Sequence, residues 1–306
     1  MGPREVRSAQ RLWRASLIRP DRFDHFVAID WSGARGERQR GIAVAGCGAG
    51  RAAPTLVDPD RRWSRADVLR WLVEELPTNA LVGLDLSPAL PFDPVGGYFP
   101  GWADSPADAR ALWALVDAVC ADDPHLSVSS FVRHGEARRH FRHGKGDCGD
   151  RFVPGGGRLR ETERRQRTLG LSPSSCFNLV GAAQVGKSSL SGMRVLHRLG
   201  GVLPVWPFDP LPDRGSVIVE IYTSLAARAA GLRKGRSKLR TGPELDAALH
   251  VLDVDPHAAL PRYTDHATDA ILTAAWLRHA ASDAGLWHPP GLTDVAATEG
   301  WTFGVP

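Results

Sequence analysis

Four acidic residues stand where carboxylates are disfavoured. Phe26-Val27-Ala28-Ile29 runs into Asp30, Ala80 to Leu84 runs into Asp85, and Ser216 to Val219 runs into Glu220. Each run reads as a buried strand, and acids are rare in strands and almost never fully buried without a partner. An unpaired carboxylate in a core costs several kcal/mol unless it takes up a proton or finds a cation. The fourth, Asp269, lies in the helical stretch Thr264–Ala281, with Leu272, Trp276 and Ala280 along its own face. At about 100° per residue, Asp265, His266 and Asp269 share one third of that helix. Carboxylates from several strand ends and one helix, meeting at a point, make a site for hard divalent cations such as Mg²⁺ or Mn²⁺. Two such ions together can activate water and stabilise the leaving oxygen in phosphoryl transfer. A turn-capping Asp30, an N-cap at Thr264 or Asp265, and salt bridges to arginines are the plain alternative.

The elements that must position these acids follow from the same patterns. Gly41–Ala45 is expected to pair with the first strand, and Ser64–Leu76 reads as a helix capped by Ser64. The third acid-bearing strand leads into a helix from about Ser224. Apolar strands alternating with helices indicate an α/β domain whose sheet is covered on both faces. Residues 92–215 form a long insertion between the fourth and fifth strands, helical near 106–120 and 186–199, expected to cover one side of the sheet. Residues 1–24 read as a leader outside the folded domain, and 25–306 as one domain with an inserted subdomain. The leader has no continuous apolar stretch of the secretory kind.

The chain has 306 residues and a net charge of +4, and no apolar run long enough to span a bilayer. Its four scattered cysteines form no CxxC pair, which suits a reducing, cytoplasmic setting. Residues 133–167 carry eleven Lys/Arg against five Asp/Glu, and residues 221–243 carry six with no acid. Such stretches suit a polyanion, although solvated helix faces and loops give the same composition. Arg233, Lys234, Arg236 and Lys238 are the best placed for backbone phosphates, with Lys187 a further contact.

In order, AIDWSG (28–33), VGLDLSPAL (82–90), VIVEIYTS (217–224), DHATDAILTAAW (265–276) and EGWTFGVP (299–306) resemble the ribonuclease-H-like superfamily. The closest resemblance is to the predicted nucleases of Domain of Unknown Function 429. It implies a ribonuclease-H-like mixed sheet with helices on both faces. It also implies a metal-dependent nuclease of DNA or RNA, with Asp30 bridging two ions and Asp85, Glu220 and Asp269 completing their shells. His266-x-x-Asp269 also resembles the final helix motif of RuvC-type resolvases. There an acid or His three residues ahead of the last ligand joins the site, a role that Asp265 and His266 both fit.

Other patterns compete. Gly181 to Ser188 matches the Walker A consensus, and with an actin-like version of the fold it offers a nucleotide-dependent phosphotransferase. It lacks a convincing preceding strand, since Phe177–Val180 is short, and it falls in the insertion. A nucleic-acid-binding protein without turnover is the third reading. His134, His140, His143, Cys148 and Cys176 match no usual zinc spacing.

Overall fold

The first apolar run folds as β1 (His25–Asp30), the centre of a six-stranded mixed sheet. A computed structural model describes residues 21–181, 185–233 and 238–306, and the expectations for residues 1–20, Lys234 and Arg236 lie outside them. β1 continues antiparallel into β2 (Ala43–Gly48) and β3 (Thr55–Leu56). On its other side it pairs in parallel with β4 (Ala80–Leu84). The short β5 (Val205–Trp206) and β6 (Val217–Glu220) extend this parallel half, giving the order β3-β2-β1-β4-β6-β5. Two boundaries differ from expectation. β2 starts two residues later than Gly41, and the insertion itself contributes β5 to the sheet edge.

Nine helices are described: α1 (Arg65–Glu74), α2 (Ala109–Val119), α3 (Ser129–Arg133), α4 (Glu161–Thr168), α5 (Val185–Arg198), α6 (Thr223–Ala229), α7 (Gly242–Val251), α8 (Asp265–Ala280) and α9 (Leu292–Val295). Their starts obey capping chemistry. Ser64 and Asp67 form a reciprocal capping box on α1, and Thr264 accepts the amide of Ala267 at the start of α8.

Side chains alternate across a strand, so each face of the sheet builds its own core. Val27, Ile29, Val82 and Leu84 pack with α1, α2 and α5. Phe26, Ala28, Leu81 and Val219 pack with α6, α7 and α8. The insertion therefore does cover one face, and it has no core of its own: Tyr98, Phe131 and Phe177 belong to the same cluster as Val27. α8 is buried nearly all round, because it crosses β1 and β2 on one side and carries α6 and α7 on the other.

Candidate active site

Alternation decides which acids meet. Asp30 shares its side of β1 with Phe26 and Ala28, so it faces α8. Asp85 follows β4 directly, and its amide donates to the Ile29 carbonyl at 3.0 Å, which continues the ladder beside Asp30. It has the parity of Leu81 and points the same way. α8 brings His266 and Asp269 to that edge.

There the His266 imidazole donates from Nδ1 to Asp30 Oδ2 at 2.8 Å. Asp30 is buried while the His266 side chain is 45% exposed. The hydrogen bond to Asp30, opposed by partial burial, raises the pKa of His266 above its ordinary value. Lys238 Nζ donates to Asp269 Oδ2 at 2.8 Å and lies 3.8 Å from Asp265, which also pairs with Arg240. Of these two neighbours on α8, His266 touches the first-strand acid, and Asp265 faces the basic side chains Lys238 and Arg240.

Among the described residues, Asp85 pairs with no arginine. Burial, followed by the charges of Asp30, Asp269 and Glu220, pushes its carboxyl well above the usual range, with the Thr223 amide at the start of α6 as a partial offset. Asp269 is also raised, by burial and by Asp30 and Asp265, against the pull of Lys238. The charge of Asp30 thus bears on both Asp85 and Asp269.

Glu220 stands apart and corrects the expected ligand set. One step earlier in the ladder, it pairs with Leu84 and points to the opposite face. There Arg160 donates to it at 2.8 and 2.5 Å, and Thr302 Oγ1 donates at 2.8 Å. Arg160 is wholly buried and also holds Glu163, the Ser87 hydroxyl and the Glu299 carbonyl. With both oxygens so engaged, Glu220 serves as the counter-ion of Arg160, while it lines the same cavity as Asp85 and its charge adds to the rise in that residue's proton affinity. The closing motif has the same origin: Phe303 donates its amide to the Glu220 carbonyl, and the Glu299 carboxylate caps the amides of Phe92, Asp93 and Glu161.

A cavity of about 440 Å³ lies between these parts, lined by Asp85, Ser87, Arg160, Glu220, Tyr222 and the Trp31–Ala34 turn. The Walker-like segment borders it through Gly181, Val185 and Ser188, but among the described residues no strand leads into α5, and Gly186 has a packing duty. A Cβ on Gly186 would lie 2.3 Å from the Cys176 carbonyl, and one on Gly33 2.4 Å from the Ser188 amide. Trp31 Nε1 completes this seat by donating to the Ser188 carbonyl. Ser188 Oγ donates back to Val185 within the helix. Lys187 lines a separate small crevice with Arg35 and Arg65, away from the acids, and Lys238 is engaged by carboxylates. Lys238 is therefore paired with acids, while Lys187 stands among basic side chains on the far side of the Trp31–Ala34 turn. Arg233 is exposed at a second cavity.

No family model, no curated protein and no solved structure matches this chain. The site is therefore read from its own chemistry. Among the described residues, no group of three or more His, Cys, Asp or Glu side chains is placed so that it could hold a metal ion. The donors nevertheless fit a hard cation in kind: all are carboxylates, Asp85 lacks a basic side-chain partner, and the charges nearest the other two are one imidazole and one ammonium. Arg160, Ser87 and Tyr222 went unnoticed in the sequence, where nothing separates Arg160 from its many fellow arginines.

Proposed function

We propose that this protein is a divalent-metal-dependent nuclease that hydrolyses phosphodiester bonds of nucleic acid. The observation that carries it is the position of Asp30, Asp85 and Asp269, from two adjacent strand ends and one helix, on one side of the sheet, where the charge of Asp30 raises the proton affinity of both Asp85 and Asp269. A divalent ion relieves that repulsion, as burial without a counter-charge otherwise forbids full ionisation. The mixed sheet, the acids at the ends of β1 and β4, and the last long helix as third contributor support the likeness to the ribonuclease-H-like nucleases of Domain of Unknown Function 429.

Asp30, Asp85 and Asp269 would hold Mg²⁺ or Mn²⁺, which supplies charge neutralisation at phosphorus and activation of the attacking water. With Glu220 withdrawn, three carboxylates remain, enough for one ion completed by water and phosphate oxygens. Asp30 orients His266 through Nδ1, which leaves Nε2 as the atom able to carry a proton to or from the reacting oxygens. The cavity beside Asp85 gives an extended substrate its approach.

The test is cleavage of single- and double-stranded DNA and RNA with Mg²⁺ or Mn²⁺. Chelator should abolish it, and Asp30→Asn should lower it by about a hundred- to a thousandfold, the order expected when a preorganised electrostatic group is removed. An Asp30→Asn protein that is folded and fully active would refute the proposal.

A further inference from the structure

A second cavity, of about 360 Å³, adjoins the first. Leu169, Leu171, Ala227 and Leu232 give it apolar walls, and exposed Arg228 and Arg233 stand at its edge. Tyr222 lines both cavities. So do the end of α4 and the connection after it: Gln166, Pro173 and Ser174 line the acidic cavity, and Leu169 to Ser172 line the apolar one. One groove thus runs from Asp85 past Tyr222 into an apolar recess edged by guanidinium groups.

Tyr222 sits at the N-cap of α6, where Ser, Thr, Asp or Asn is preferred, and its side chain makes no capping bond. A half-buried aromatic in a capping position, without the capping duty, is free for contact along the groove.

We infer that the apolar recess is a base-binding subsite, which takes an unstacked nucleobase next to the phosphate held at the acid cluster, with Tyr222 as its stacking partner. This rests on the nuclease reading above and narrows its substrate to strands whose bases can turn out of the helix. Flat bases stack on aromatic rings in single-strand-binding proteins irrespective of sequence, and arginines at the edge complement the backbone. An apolar recess of this size suits a planar heterocycle. Its continuity with the acidic cavity fixes the occupant as part of the same ligand.

The test compares two single-stranded probes of equal length and charge, a fluorescein-labelled oligodeoxynucleotide and its abasic counterpart, by anisotropy in calcium. The full-length protein should bind the base-bearing strand at least about tenfold more tightly, the lower end of what one stacked base contributes. Tyr222→Ala should erase that difference and leave abasic binding as it was, while Tyr222→Phe should retain it. Circular dichroism establishes that both variants fold. Equal affinity for the two probes, a preference that survives Tyr222→Ala, or no binding of either probe would each overturn the subsite. Manganese titration of the unmodified protein by calorimetry reports on the acid cluster alone. Absence of manganese binding would defeat the metal-dependent reading whichever probe binds.

Discussion

The guanidinium of Arg160 is fully buried and joins Glu163 and Glu220, two carboxylates that are themselves almost without solvent contact. Taking ions out of water is repaid only while every partner is present. Arg160→Met should therefore cost about 3–5 kcal/mol, because it leaves buried carboxylates uncompensated. Adding Glu220→Gln to that variant should restore part of the loss. Urea unfolding of the single and double variants measures both effects, and a single variant as stable as the parent would show that the ion pair is not needed. This pair also marks how far single residues could be read. Asp30, Asp85 and Asp269 stand out because each interrupts an apolar pattern, and the charges of Asp30 and Asp269 both act on Asp85. Glu220 interrupts one equally well, yet lies on the other face. A sheet covered on both sides has continuous apolar strands, so the sequence carries no polar alternation from which to count its direction.

Among the elements, those with an apolar period and a capping residue were legible. α1, α2, α5 and α8 lie within a few residues of their expected limits. α4 (ETERRQRT) was not, because it has no apolar stripe: Arg160, Glu163 and the Glu299 carboxylate hold it in place. α7 begins with a capping box, Thr241 to Glu244, followed by a weak apolar face that went unread. β3 and β5 are two residues each, too short for any period. In the insertion, His140 is buried against the rings of Phe99 and Phe177, and its Nε2 has no partner. Burial, with Arg158, Arg151 and Arg139 nearby and Asp150 opposing them, pulls its pKa down to about 4. The unfolded imidazole titrates near its ordinary ~6.5, so between these values the unfolded chain binds more protons. Stability should accordingly fall as pH drops below about 6.5, by up to ~1.4 kcal/mol per pH unit from this group, and level off below its folded pKa. His140→Leu should flatten that limb in unfolding curves collected across the range. Parallel curves for the two proteins would remove His140 as the cause.

On the scale of the whole molecule, both cores meet at the sheet, and the acid cluster sits where β1, β4, α6 and α8 come together. Repulsion there burdens the entire fold, since none of these elements can move aside without opening a core. A ligand that binds only the folded cluster stabilises the chain by about 2.7 kcal/mol at a hundred times its Kd. For a chain this large, that corresponds to a rise in Tm of about 4 °C. Saturating manganese should produce such a rise, and chelator should reverse it. Asp85→Asn removes a carboxylate that folding makes harder to ionise, so the metal-free variant should melt higher than the parent. The same change removes a donor, and the manganese-dependent rise should shrink or vanish. Opposite signs in the two conditions distinguish a site that carries strain for the sake of a cation from an ordinary buried acid. A variant that melts lower without metal and keeps the full manganese response would mean that Asp85 supports the fold and takes no part in cation binding.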